Sequence, residues 1–531
     1  MRIKDQFKSY NISTFLSNLA HQIFYNKILA NIGCFSVLEK IFFQLHPKNF
    51  KKQHTNNLVN LKIMNKFDFG VVGLGVMGRN LLLNIASHKF AAAGLDLDTE
   101  KVNSLQHEAD PDHTIEATTD VKHFVELIQQ PRAIMLLVPA GKPVDSAIAS
   151  LLPHLDKGDI IIDGGNTYFT DTDRRFLELS AKGIHFFGMG ISGGEKGARF
   201  GPAMMPGGDQ KAYERLRPIF EAIAAKVDGE PCVEYLGNGS AGNYVKMVHN
   251  GIEYGIMQLI SEIYDLMKRG YNLDEDTIQK TFEEWNETEL KSYLIEITGK
   301  ILKQRDEDGS RLINKISDWA KSKGTGKWTS QNAMDLQVPV PTIDAAVVMR
   351  DMSKTKPERI EAAAKLTWNN QPSDVNATEA ITSLKSALYS SIIITYAQGL
   401  AQLKTASAEY NYGLNLETVA KIWRGGCIIR AEALEDFRKA FAANPGLPNI
   451  LLDSEIAAKL TQNQSGLRET IQLAVQQGIP AAGLMNSLAY FDAYRSENLP
   501  TNLIQAQRDY FGAHTYERID VSGVFHTQWN E

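Results

Sequence analysis

The chain has 531 residues, 43% hydrophobic and 22% charged, ordinary globular proportions with length for roughly two to four domains and a large buried core. Its formal net charge of −6 argues against a general nucleic-acid binder, which needs a basic surface to displace phosphate counterions, and no apolar run reaches the roughly 18 residues of a membrane span. Cys34, Cys232 and Cys427 are odd in number and far apart, without a CxxC pair; this disfavours a disulfide framework or a thiolate zinc site and fits a reducing, cytoplasmic setting.

Residues 1–63 carry nine Lys/Arg against two acids, Asp5 and Glu39, and leave 47 basic and 60 acidic residues in the remainder. Their best apolar stretch, 28–45, is broken by Asn31, Glu39 and Lys40 and resembles neither a secretory core nor a transmembrane helix. We expect translation to begin at Met64, with 1–63 upstream sequence or a disordered extension. A basic organelle-targeting peptide is the competing reading.

From Phe67 the signals are stronger. Residues 67–72 read as a short buried strand, followed at once by Gly73-Leu74-Gly75-Val76-Met77-Gly78 and a helix over 80–87. This is GxGxxG in its required strand–turn–helix setting. The first glycine serves the tight turn, the second admits a pyrophosphate to the backbone, and the third lets helix pack on strand; the free N–H groups at the helix start face the phosphates. A second strand over 91–95 ends in Asp96, 18 residues after Gly78, where a ribose-binding acid is expected. Its carboxylate accepts both ribose hydroxyls of NAD and repels the 2′-phosphate of NADP, and Leu97 and Asp98 supply no compensating cation. Further strands over 133–138, 159–163 and 184–188 imply a doubly wound parallel sheet with its ligand crevice at the strand C-termini. Two polar glycine-rich loops lie there: Asp163-Gly164-Gly165-Asn166 and Ser192-Gly193-Gly194-Glu195.

After residue 239 the pattern turns helical. The first long helix, expected over 244–268, bears Lys246, His249, Asn250, Glu253 and Tyr254 at i, i+3, i+4, i+7 and i+8, one stripe of an otherwise apolar helix. A buried Lys can lose its proton near neutral pH and act as a base, and a buried Glu can keep one and act as an acid. Residues 286–319 read as more helix, Lys323-Gly324-Thr325-Gly326-Lys327-Trp328 as a basic loop suited to phosphate or carboxylate, and 384–410 as a second long helix. Both long helices end in similar Gly/Tyr/Asn/Leu turns, a hint of internal duplication. The aromatic tail from about 500, with Arg508 and His514, is expected to dock on another surface, with its own domain and a second subunit both open. The fold class is thus α/β plus all-α: an N-terminal Rossmann-type domain over 64–239, a helical domain over 240–497 and a tail over 498–531.

Residues 67–529 resemble the 6-phosphogluconate dehydrogenase family, the decarboxylating enzymes of the pentose phosphate route. The resemblance rests on the six ordered motifs Gly73–Asn80, Ile162–Thr167, Ser192–Arg199, Lys246–Tyr254, Lys323–Trp328 and Arg508–His514. It implies that Asn166, Ser192, Gly193, Gly194, His249, Asn250, Tyr254, Lys323 and Arg350 hold the sugar acid. It also makes Lys246 the general base and Glu253 the proton donor, and has the partner subunit of a homodimer lend Arg508 and His514. Gly73–Gly78, Asp96-Leu97-Asp98, Val138-Pro139-Ala140 and Asn166 would line the cofactor, and no metal is needed. NADP-using members resemble Asn-Arg-Thr where this chain has Asp96-Leu97-Asp98, and carry Lys where it has Pro139. We therefore expect NAD+ to be preferred, with NADP+ the alternative. A non-decarboxylating β-hydroxyacid dehydrogenase is usually shorter and lacks the second helical half and the tail. A catalytically idle NAD-binding scaffold would not need both Lys246 and Glu253.

Overall fold

The computed structural model describes residues 66–368 and 376–529; the expectations for 1–63, for a start at Met64 and for Cys34 lie outside them. Five short, fully buried or half-buried strands alternate with helices in the first part of the chain: β1 (Phe69–Val72), α1 (Val76–Ser87), β2 (Ala92–Leu95), α2 (Thr99–Glu108), β3 (Ile115–Thr118), α3 (Val121–Leu127), β4 (Ala133–Leu136), α4 (Lys142–Leu151), β5 (Ile160–Asp163) and α5 (Phe169–Ser180). Then come β6 (His185–Ser192), α6 (Gly194–Phe200), β7 (Ala203–Gly208) and α7 (Gln210–Ile223). The sheet order is β3-β2-β1-β4-β5-β6-β7, all parallel except the β6–β7 pair. Parallel strands covered by helices on both faces read as continuous apolar runs, as Ile160-Ile161-Ile162 does here. Two separate apolar clusters, one around Phe69 and Phe220 and one around Phe124 and Phe186, cover the two faces.

Two strands escape a reading by pattern. β3 is a half-exposed edge with alternating polarity, and β7 contains Pro206, Gly207 and Gly208, residues that argue against a strand. Pro206 is accommodated because β7 is the sheet's antiparallel edge. A small hairpin, β8 (Lys226–Val227) and β9 (Glu230–Pro231), leads to the helical half.

That half is built around two long helices, α8 (Ala241–Asp265) and α14 (Ala377–Glu409), packed against each other. Between them lie α9 (Glu275–Trp285), α10 (Tyr293–Lys303), α11 (Thr325–Asp335), α12 (Pro341–Ser353) and α13 (Lys356–Lys365). After them come α15 (Leu416–Trp423), α16 (Ala433–Ala443), α17 (Ser454–Gln477), α18 (Ala482–Tyr494) and α19 (Thr501–Gly512). The apolar residues of α8, including Val245, Val248, Ile252, Ile256, Leu259 and Ile263, enter one large core with Leu384, Leu388 and Tyr396 of α14.

The expected helix over 286–319 is interrupted. Only 293–303 is α-helical; Gly309 at φ +81 forms a turn in which Lys315 joins Asp306 and Asp308. The segment 323–328 is also not a free loop, because Gly324 at φ +97 starts α11 and Thr325 already lies in the helix. The tail closes on itself through the buried Asp509 of α19. Its carboxylate accepts from Thr515 N–H (2.9 Å), Thr527 N–H (3.0 Å) and Trp529 Nε1 (2.8 Å), and lies 2.9 Å from His526 Nδ1. Among the described residues no helix is long and apolar enough to cross a membrane.

Candidate active site

At the end of β1 the chain turns through Gly73 (φ +94), and a methyl group at Gly78 would stand 1.8 Å from the Gly73 carbonyl oxygen. Only hydrogen fits there, so α1 begins hard against the turn. Its N-cap, Gly75, offers no side-chain acceptor, and Val76 is exposed. The first-turn N–H groups therefore point into the crevice, where a pyrophosphate would satisfy them; the residues fit a dinucleotide. Asp96 Oδ2 accepts from Leu74 N–H at 2.7 Å, tying the glycine turn to the end of β2, and Oδ1 accepts from Asp98 N–H at 3.0 Å.

One expectation is corrected here. The first turn of α2 brings Lys101 Nζ to 3.5 Å from Asp96 and 3.7 Å from Asp98, so a cation does stand beside the two acids. Helical spacing, not adjacency in sequence, puts it there. Val138-Pro139-Ala140 form the turn between β4 and α4, with Pro139 and Ala140 exposed.

The carboxyl ends of β5 and β6 carry the two polar loops, and α8 lies directly on β6. A methyl at Gly190 would come within 2.2 Å of Lys246 Cβ, so glycine at this position lets the lysine reach the strand ends. Lys246 is 6% exposed and His249 0%. His249 Nδ1 lies 3.1 Å from Asn250 Oδ1 and 3.4 Å from Lys246 Nζ, while its Nε2 lies 3.2 Å from Ser192 Oγ. Asn250 is oriented by donating its amide N–H to Thr325 Oγ1 at 3.0 Å. Its oxygen thus accepts from His249 Nδ1–H, and a protonated Lys246 would face a donor. Glu253 Oε2 stands 3.8 Å from His249 Nδ1. Arg350 stacks on the Tyr254 ring at 3.6 Å and donates to the Lys321 carbonyl at 3.1 Å; Tyr254 Oη accepts a long bond, 3.5 Å, from Lys323 N–H.

Burial sets the protonation tendencies. It pushes the Lys246 pKa down against the opposing pull of Glu253. It raises that of Glu253 against Lys246 and Arg350. Burial, reinforced by Lys246, carries His249 well below its usual value. A neutral amine and a protonated carboxyl two turns apart are a base and an acid.

Residues 68–237 match the NAD binding domain of 6-phosphogluconate dehydrogenase, and residues 242–529 its C-terminal domain. The chain belongs to the 6-phosphogluconate dehydrogenase family. A relative from Lactococcus lactis subsp. lactis, 6-phosphogluconate dehydrogenase, decarboxylating, is 52% identical over 469 residues, 88% of this chain and 99% of that one. One from Bacillus subtilis, named NADP(+)-dependent and decarboxylating, is 51% identical over 88% of this chain and all of its own length. The solved Plasmodium falciparum 6-phosphogluconate dehydrogenase, described in its apo form and in complexes with NADP+ and with 6-phosphogluconate, superposes with a TM-score of 0.84. It is 43% identical, covering 87% of this chain and 100% of that one. The chain is therefore an NAD(P)-dependent oxidoreductase of this family.

The structure also brings in residues that the motifs do not single out. The Gly425–Ile428 turn between α15 and α16 packs against the Ser192–Gly194 loop. Ala203 N–H donates to Gly426 O at 2.8 Å, Ile428 N–H donates to Ser192 Oγ at 3.4 Å, and Trp423 meets the His249 ring edge-on at 5.6 Å. The paired glycines between Trp423-Arg424 and Cys427-Ile428 were the available signal. Arg508 and His514 are not brought to the stripe: Arg508 donates to Gln505 and the His514 ring meets Phe511, both in the tail itself.

Proposed function

We propose that this protein oxidises and decarboxylates 6-phosphogluconate to ribulose 5-phosphate and CO2, in the oxidative pentose phosphate route. The observation that carries this is the stripe of buried Lys246 and His249 with half-buried Glu253, laid across the carboxyl edge of a dinucleotide-type sheet. Gly73–Gly78 would hold the nicotinamide cofactor, which would supply a hydride acceptor for C3 of the sugar acid. Neutral Lys246 takes the C3 hydroxyl proton in that step. The 3-keto acid then releases its carboxylate as CO2, with the ketone accepting the electron pair of the breaking bond. Lys246, now protonated, donates to the developing oxyanion, stabilising charge where it appears. Glu253 protonates the carbon that carried the carboxylate, which yields the ketose.

Asn166, Ser192, Gly193, Gly194, His249, Asn250 and Tyr254 orient the sugar, and Lys323 and Arg350 supply positive charge for its anionic groups within a generally acidic chain. We further read the enzyme as a homodimer whose tails lend Arg508 and His514 to the partner's site.

The finer reading of the cofactor is NAD+, on the strength of Asp96-Leu97-Asp98, which offer the 2′-phosphate two carboxylates, and of Pro139 at the position where NADP-using members carry Lys. A second reading, NADP+, has Lys101 in its favour, since an ammonium held between two carboxylates could turn toward a phosphate. One experiment tests both levels: 6-phosphogluconate with each cofactor in turn, following absorbance at 340 nm and CO2. Equimolar reduced cofactor and CO2 are expected, with the higher kcat/KM for NAD+. Oxidation without CO2 overturns the reaction; a higher kcat/KM with NADP+ overturns the preference. Asp96→Asn with Leu97→Arg should move the ratio toward NADP+.

A further inference from the structure

Asn243 stands on α8 three residues before Lys246, is 2% exposed, and faces the sheet rather than the sugar site. Its Nδ2 donates to the Gly165 carbonyl at 3.2 Å, and its Oδ1 accepts from the Thr172 hydroxyl of α5 at 3.1 Å. The Gly165 N–H is held as well, donating to Asp163 Oδ1 at 3.0 Å, and Asp163 Oδ2 accepts from the Thr167 hydroxyl at 2.7 Å. The residues on both sides of the exposed Asn166 are therefore fixed, and Asn243 supplies the one restraint in this set that comes from the helix bearing Lys246. Room for its amide is built in: a methyl at Gly188 of β6 would stand 1.8 Å from Asn243 Oδ1. The same network reaches the β4 turn. Buried Arg175 lies 3.4 Å from Asp163, 2.8 Å from Asp145 and 3.1 Å from the Gly141 carbonyl.

We infer that Asn243 is a positioning residue: it sets the register of the Asn166 loop, at the cofactor edge of the sheet, against Lys246 one turn along its own helix. This rests on the reaction proposed above, in which a proton leaves to Lys246 while hydride leaves across the sheet edge. Such a step needs both acceptors aligned on one carbon, and a misplacement of about 1 Å costs on the order of 10²-fold in rate. A side chain that donates to one element and accepts from another, both on the sheet side, fixes that distance without touching substrate.

The test compares Asn243→Ala, Thr172→Val and Thr172→Ser with the wild type. For Asn243→Ala we expect kcat to fall about 10- to 100-fold with KM for 6-phosphogluconate near wild type, and a larger isotope effect with substrate deuterated at C3. In the ligand-free protein, amide exchange over residues 164–168 should accelerate about tenfold, as local opening becomes easier. Thr172→Val, which leaves Asn243 in place, should show the same pattern more weakly, and Thr172→Ser should restore it. Exchange and isotope effect both at wild-type values overturn the inference, as does a loss confined to thermal stability. Failure of the assigned reaction would look different: the wild type itself would not turn over, while the exchange measurement would still report on Asn243.

Discussion

Lys246 is pulled in two directions. Burial favours the neutral amine, and the Glu253 carboxylate favours the ammonium. The proposed chemistry uses the neutral amine with a protonated Glu253, so the sign of each pH effect follows. Activity is lost on the acid side as Lys246 gains its proton, and on the alkaline side as Glu253, whose pKa is raised chiefly by burial, loses its own. Lys246→Met should lower kcat by about 10²–10⁴-fold, the usual worth of a positioned general base. Glu253→Gln removes the acid while leaving the charge beside Lys246 unchanged, because Glu253 is already protonated in the active form. The alkaline limb of the kcat/KM profile should therefore vanish in Glu253→Gln, and the acid limb should stay in place. An alkaline limb that survives would show that Glu253 is not the titrating acid.

At the scale of elements, α8 joins the sheet to the helical half and carries a second buried carboxylate with another task. Glu262 is 3% exposed and accepts from Gly483 N–H at 2.8 Å, Leu484 N–H at 2.9 Å and Gln258 Nε2 at 2.8 Å. It thus caps α18, whose own N-cap, Ala481, has no side-chain acceptor. Glu262→Ala leaves buried N–H groups unpaired and should cost about 3 kcal/mol, read as a lower midpoint in urea, with Glu262→Gln milder; a midpoint equal to wild type would remove this role. The existence and reach of α8 were legible because its apolar spacing runs for seven turns, and so was the glycine turn after β1, where each residue type meets a local steric demand. β7 was not legible, since Gly207 serves close contact with α8, Gly208 serves close contact with Phe187 of β6, and Pro206 sits at the sheet edge, all against strand propensity. Lys101 was missed because a helix turn, not sequence adjacency, brings it to Asp96. The Gly425–Ile428 turn lies more than 230 residues from Ser192, and no local pattern encodes a contact of that range.

At the scale of the whole molecule, the tail is ordered internally around Asp509 yet leaves its apolar side chains outward. Leu503 is 62% exposed and Phe511 72%, as are large residues of the helical half such as Ile360 and Trp368. Faces of this kind, on a segment whose Arg508 and His514 pair with Gln505 and Phe511 of the same tail, suit burial against a second copy. If the tail acts across a dimer, two inactive variants should complement each other. Lys246→Met keeps an intact tail; Arg508→Ala keeps an intact lysine. In a mixed dimer one site combines the unaltered lysine with the tail of the other subunit and is complete, and the second site lacks both groups. Random reassociation places half of the dimers in this form, so about a quarter of wild-type activity should return on mixing after denaturation and refolding together. If each tail served its own subunit, no site in any dimer would hold both groups, and the mixture would stay as inactive as its components.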